Sequence, residues 1–153
     1  QHYNKRHLFS LAGEDNEYSA GNQNITVNVG GWKIRPQICY DLRFPVWSKN
    51  TDGYDLLLYS ANWPAKRIEH WRKLAMARAI ENQCYVLAVN RYGKDGNGLE
   101  YTGNSMLVSP MGEVLSEPVG SEQVVNVVLN YKAVQSFREF LSVLDDGDSF
   151  DIH

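Results

Sequence analysis

Among the residues able to do chemistry, Cys39 holds the most suggestive position. It follows Pro36-Gln37-Ile38 and precedes Tyr40-Asp41, where a strand pattern runs into a turn. A side chain at the end of a strand is exposed at the carboxyl edge of a sheet, and the backbone N–H groups that follow it can point at a developing oxyanion. A helix N-terminus nearby would lower the thiol pKa and enrich the thiolate. Against this, cysteine is among the most buried residue types and behaves as a small hydrophobe; on local features alone, packing is the stronger account. Cys84 is an internal control. It lies in an uninterrupted apolar run with no adjacent turn, so packing explains it.

Lys5 could place an ammonium beside a tetrahedral oxyanion, although a lone lysine in Lys5-Arg6-His7-Leu8-Phe9 is ordinarily a solvated charge. His7 could pair with a thiol or serve as a structural hydrogen-bonding histidine. Glu14, Asp15 and Glu17 cluster in a polar stretch that reads as a solvated turn. Arg43 could take a substrate carboxylate or enter a structural ion pair. Trp63 could wall a pocket or fill the core. Arg78 and Glu81 suit a buried or interfacial polar network.

The elements that would position these residues can be read from periodicity. Residues 10–24 are loop-like. Alternation over 25–29, a Gly30-Gly31 turn and a return over 32–38 predict a hairpin ending at Cys39. A short helix is expected over 45–50, with Pro45 tolerated in its first turn. The apolar run 55–60 suits a buried, parallel-type strand. A helix follows over 67–82, with Trp71, Leu74, Ala75, Arg78 and Ala79 on one face. The apolar strand 84–89 and a loop over 93–98 come next. Strands are expected over 101–109, 113–115 and 123–130, with a turn at Pro110-Met111-Gly112. A terminal amphipathic helix is expected over 131–144, presenting Val134, Phe137, Phe140 and Leu141. The pattern is that of a mixed α/β domain.

Composition bounds the function. With 153 residues, 43% hydrophobic and 22% charged, the chain has the make-up of a single globular domain. A net charge of −3 gives no reason to expect nucleic acid or an anionic membrane as partner. No apolar run is long enough for a spanning helix. Two cysteines in ordinary composition read as reduced thiols in the cytoplasm rather than a secreted disulfide scaffold. No Cys-x-x-Cys or His-x-x-x-His spacing suggests a metal, and no cofactor motif stands out. The start at Gln1 is expected of a chain entered part-way through a protein.

Taken in order, the motifs resemble the nitrilase, or carbon–nitrogen hydrolase, superfamily. They are Lys5-Arg6-His7-Leu8-Phe9, Glu14 seven residues before Gly21, Ile38-Cys39-Tyr40-Asp41-Leu42-Arg43-Phe44-Pro45 and Ala61-Asn62-Trp63-Pro64. Then follow His70-Trp71, Arg78-Ala79-Ile80-Glu81-Asn82-Gln83, Gly103-Asn104-Ser105 and Pro110-Met111-Gly112-Glu113. The segments around Cys39 and Trp63 look most like the omega-amidase branch, which acts on omega-amides of dicarboxylic 2-oxo acids such as 2-oxoglutaramate and 2-oxosuccinamate.

The resemblance implies a four-layer α-β-β-α sandwich and a dimer or larger homo-oligomer. It implies that Cys39 is the nucleophile that forms a thioester as ammonia leaves, and that Lys5 and the Tyr40 backbone N–H stabilise the oxyanion. Glu14 would support the lysine and substrate, Arg43, Asn62 and Trp63 would contact substrate, and water would complete hydrolysis without metal or cofactor. The family's general-base glutamate precedes the lysine motif, and nothing before Lys5 here supplies it. The expectation is therefore that residues 1–153 are the C-terminal portion of one such domain, incomplete for activity alone. Alternatives are another amidase of the superfamily, acting on N-carbamoyl or aliphatic amides, or a non-catalytic assembly module.

Overall fold

A computed structural model of the chain describes residues 1–118 and 120–152. Its centre is a six-stranded sheet in the order β1-β2-β3-β4-β7-β8. β1 (Val27–Val29) and β2 (Trp32–Ile38) form an antiparallel hairpin. Gly30 and Gly31 take φ of 57° and 87° in its turn, which suits a two-residue loop needing left-handed backbone at both positions. β3 (Leu56–Ala61) runs parallel to β2, and β4 (Tyr85–Asn90) runs parallel to β3. The expectation of a buried parallel strand over 55–60 therefore holds. β7 (Met106–Val108) and β8 (Val114–Ser116) complete the sheet in antiparallel fashion. β5 (Tyr92–Lys94) and β6 (Glu100–Thr102) form a separate ribbon.

Alternation along the strands divides the core. Leu57, Tyr59, Val86, Ala88, Met106 and Val108 face one side, while Leu56, Tyr85 and Leu107 face the other. The first side is covered by α3 (Ile68–Asn82), which buries Trp71, Ala75, Arg78, Ala79 and Asn82. The observed spacing is the helical period read from the sequence, and each large apolar side chain removed from water contributes about 1.5–3 kcal/mol. Cys84 is fully buried in this cluster. Two shorter helices, α1 (Glu14–Glu17) and α2 (Pro45–Ser48), lie before β1 and after β2. α4 (Tyr131–Phe140) begins where the Asn130 carboxamide accepts from the Ala133 N–H at 3.1 Å. It buries Val134 against Leu56, Tyr85 and Leu107 on the second side. Of the expected four-layer sandwich, the described residues thus supply a sheet layer, the α3 layer over it, and α4 at the margin of the opposite face.

Several expectations need correction. Residues 123–130 pair with no strand among the described residues; Val124 and Val128 are 90% and 94% exposed. An alternating pattern is only half a strand signal, since the ladder also needs a partner edge. The continuous strand expected over 101–109 splits into β6 and β7, because Gly103 and Asn104 turn the chain at φ of 74° and 56°. Residues 93 and 94, expected in a loop, belong to β5. The polar stretch 10–24 contains α1 and a short turn of helix at Ser10–Ala12. α4 stops at Phe140, which is 86% exposed, so the apolar face read there is only partly used.

Candidate active site

Cys39 opens a 3-10 turn, Cys39–Arg43, directly after β2. Its φ of 45° lies in the left-handed region, a conformation that costs a non-glycine residue about 1–3 kcal/mol and persists only where the surroundings enforce it. Asp41 is the enforcing group. Fully buried, its carboxylate accepts from the Ile38 N–H at 3.0 Å, so the turn closes back on the end of the strand. Arg78, from α3, donates to the Leu42 carbonyl at 2.8 Å and pairs with Glu81 at 2.9 Å. The arginine bracing this turn is therefore Arg78, within the polar network expected of it.

Asp41 also attaches the lysine segment to the cysteine turn. It accepts from the Tyr3 hydroxyl at 2.8 Å, the His7 N–H at 3.0 Å and the His7 ring at 2.9 Å. His7, stacked on Phe44 with ring centroids 3.6 Å apart, is thus a structural histidine partnered by Asp41. Gly21 holds the other side: its N–H donates to the Lys5 carbonyl at 2.8 Å. A Cβ added there would lie 2.2 Å from the Asn4 carbonyl oxygen. This close approach is what requires glycine at 21.

After the Ser10–Ala12 turn, Gly13 (φ 75°) reverses the chain, and Glu14 reaches back. Its carboxylate accepts from the Phe9 N–H at 2.8 Å and from the Lys5 ammonium. Burial pushes the Glu14 carboxyl up, but the Lys5 hydrogen bond, the Phe9 N–H and the Lys5 charge together hold it below the usual carboxylate range. Glu14 is thus the ionised partner of Lys5 rather than part of the solvated turn that its local composition suggested.

Burial pushes the Cys39 thiol above its ordinary value; the Lys5 charge and a hydrogen bond from the Asn62 backbone oppose the shift without cancelling it. This corrects the expectation of a depressed thiol pKa. The helical turn that Cys39 opens is a single short one, too slight to offset desolvation of the thiolate. Asn62 contributes its main chain here, and its residue is exposed. Trp63 is 3% exposed, its ring 5.5 Å from that of Trp71. Arg43 lies over the Trp63 ring at 4.8 Å and hydrogen bonds the His70 ring at 3.1 Å. The Tyr40 N–H belongs to the first turn, where backbone donors have no partner within the helix.

Lys5, Glu14, Cys39, Tyr40, Arg43, Asn62 and Trp63 all line one cavity of about 910 Å³. Among the described residues, no group of three or more His, Cys, Asp or Glu side chains is placed to hold a metal ion.

The carbon–nitrogen hydrolase family profile matches residues 1–139. The chain belongs to this family. Among related carbon–nitrogen hydrolases, an omega-amidase, YafV, from Yersinia enterocolitica is 49% identical over 97% of this chain and 58% of its own length. A 2-oxoglutaramate amidase from Bacillus subtilis is 40% identical over 94% of this chain and 56% of its own. The chain thus spans somewhat more than half the length of these relatives. The fold is shared with a superfamily protein from Xanthomonas campestris that carries an arsenic adduct in its active site (TM-score 0.97, 43% identity, 100% of this chain, 61% of that one). It is shared also with an amidase variant from Nesterenkonia in which acrylamide has added to the active-site cysteine (TM-score 0.76, 27% identity, 91% of this chain, 55% of that one).

Three residues of this carbon–nitrogen hydrolase escaped the sequence reading. Asp41 lies inside the Cys39 motif, and its place two residues past Cys39 is the available signal of a turn-forming carboxylate. Tyr3, between Asp41 and the Trp47 indole N–H at 2.8 Å, had no local signal. Asn90 accepts from the Trp63 N–H at 2.6 Å and donates to the Trp63 and Gly103 carbonyls at 3.0 and 2.7 Å. A carboxamide ending the apolar run before Arg91 was its available signal, since ligand sites gather at the carboxyl ends of parallel strands.

Proposed function

We propose that this protein is an omega-amidase, hydrolysing the terminal amide of a small dicarboxylic monoamide such as 2-oxoglutaramate to a carboxylate and ammonia. The observation that carries this reading is the opening of the Cys39 turn into the same cavity as the Lys5–Glu14 pair. A thiol there can attack an amide carbon while an ammonium stands ready for the oxyanion. Cys39 sulfur adds to the carbonyl, and the resulting O⁻ is stabilised by the Lys5 ammonium and the Tyr40 N–H. The base returns the thiol's proton to the amide nitrogen, collapse expels ammonia and leaves a thioester, and water then hydrolyses it to release the acid and restore the thiol. Glu14, paired with Lys5, keeps its ammonium aimed. Trp63 forms the wall, the Asn62 N–H holds the sulfur, and Arg43 is a cation for the substrate's carboxylate.

A thiol held above its ordinary pKa needs a base. Glu14 is already occupied, and it is the one carboxylate among the described residues lining the cavity. The family resemblance assigns that base to a glutamate ahead of the lysine motif, outside residues 1–153, in keeping with a reading of this chain as the C-terminal portion of the domain. We take the enzyme to be cytoplasmic, its two cysteines being free thiols, and to work as a homodimer or larger homo-oligomer.

Ammonia release should be measured from 2-oxoglutaramate, glutamine, N-carbamoyl amino acids and simple nitriles, using the intact natural protein. Turnover of 2-oxoglutaramate well above the others is the expected result. Preference for N-carbamoyl compounds would move the enzyme to another amidase class, and turnover of nitriles alone would sink the amidase reading.

A further inference from the structure

Among the described residues, the cavity is lined by four cationic ones, Lys5, Arg43, Arg67 and Arg91, against the single carboxylate of Glu14. They are not equivalent. Lys5 is engaged by Glu14. Arg43 hydrogen bonds His70 at 3.1 Å. Arg91, which is exposed, donates to the Lys94 carbonyl at 3.0 Å and lies over the Tyr101 ring. Among the described residues, the Arg67 guanidinium has a ring for company: its Cζ sits 5.4 Å from the Phe9 centroid. Among the described residues, no carbonyl or carboxylate accepts from it.

That guanidinium is nevertheless well placed. Its backbone is pinned on both sides: the N–H donates to the Pro64 carbonyl at 3.0 Å, and the carbonyl accepts from the Trp63 indole at 2.8 Å. Phe9, beneath it, is fixed by its own N–H on Glu14 at 2.8 Å and packs against Tyr40 with centroids 4.8 Å apart. Tyr40, Phe9 and Arg67 therefore form one continuous wall that starts at the residue after the nucleophile. A half-buried guanidinium whose fork of N–H donors is unspent is a bidentate receptor for a carboxylate.

We propose that Arg67 is a specificity-determining residue, receiving the carboxylate of an anionic amide while its amide carbon lies against Cys39. This rests on the amidase reading above and adds to it a second cation besides Arg43. The contact is made equally in the ground and transition states, so its loss raises KM more than it lowers kcat.

The test uses the intact protein with Arg67→Gln, Arg67→Lys and, in parallel, Arg43→Gln. Two substrates are compared, 2-oxoglutaramate and the neutral pentanamide. Arg67→Gln should lower the kcat/KM ratio of 2-oxoglutaramate over pentanamide by about 10- to 100-fold, the size of one charged hydrogen-bonding contact. The change should lie mainly in KM, and Arg67→Lys should recover part of it. An unchanged ratio in Arg67→Gln, or a fall confined to Arg43→Gln, would overturn the proposal. Calorimetric binding of glutarate reads the same contact without turnover. Weakening by a similar factor in Arg67→Gln is expected, and an unchanged Kd counts against Arg67. Should neither amide release ammonia while glutarate binding still depends on Arg67, the carboxylate site stands and the amidase reading falls.

Discussion

The two ends of the parallel strands are built to opposite purposes. At their amino ends, Asp55 is 2% exposed and accepts from the Lys33 N–H at 3.0 Å, Gln135 at 3.2 Å and Arg138 at 3.1 Å. The other two nitrogens of Arg138 donate to the Gln83 carbonyl at 3.0 Å and the Tyr54 carbonyl at 2.6 Å. All of that arginine's nitrogens are spent on closing the bottom of the sheet with α4. At the carboxyl ends, Cys39 is held in left-handed backbone, and Arg67 has no acceptor among the described residues. Each end also owns a cysteine: Cys84, fully buried, enters β4, and Cys39, partly accessible, leaves β2. Strain and unspent donors are tolerated only where the rest of the structure is over-determined, and they gather where ligands must bind.

The pair of cysteines offers the most forceful way to break this contrast. Cys39→Ala should lower ammonia release by about a thousandfold or more, as loss of a covalent nucleophile does, while its melting temperature stays close to that of the parent. Cys84→Ala should do the reverse. It leaves turnover by the folded enzyme within about twofold and costs roughly 1–2 kcal/mol in a denaturant titration, for the sulfur-sized gap left in the core. Equal activity losses in the two variants would erase the functional distinction between the ends.

The contrast also explains what could be read in advance. Apolar runs at 55–60 and 84–89 and the helical period over 67–82 are properties of continuous segments, and burial on the sheet follows from them directly. The Cys39 turn was legible because a strand ending in a turn is local. Its role was not, since on local features packing is the stronger account of a cysteine until the ordered motifs are considered. Asp41, Tyr3 and Asn90 act across separations of 38, 38 and 27 residues, and no local pattern encodes such contacts. The unpaired 123–130 segment failed for the complementary reason: a strand is defined by its partner.

A second pair of substitutions sharpens the comparison on stability. Asp41→Ala leaves the Tyr3 hydroxyl and the Ile38 and His7 N–H groups without their acceptor, and should cost about 3 kcal/mol or more. Because those bonds join the lysine segment to the cysteine turn, kcat of the folded fraction should fall as well. Arg138→Ala strips the buried Asp55 of its cation and should cost about 3 kcal/mol too. Its folded fraction should keep kcat and KM within about twofold. A kinetic defect in Arg138→Ala matching that of Asp41→Ala would show that the two ends are not separable.

The smallest expected effect concerns the thiols alone. Thiolate is the reactive form, so alkylation by iodoacetamide follows each residue's own titration. Burial pushes Cys84 up to about 12, and in the folded protein it should stay unlabelled from about pH 7 to 10. Cys39 is also raised by burial, but the Lys5 charge and the Asn62 N–H hold it back. Its labelling rate should therefore still climb above the ordinary thiol midpoint near about 8.5, yet proceed where Cys84 is silent. Lys5→Met removes a positive charge that favours the thiolate, so the Cys39 midpoint moves further up and labelling at about pH 8 slows a few-fold. A midpoint that fell, or did not move, would mean that Lys5 is not near enough to the sulfur to serve an oxyanion forming on the carbon it attacks.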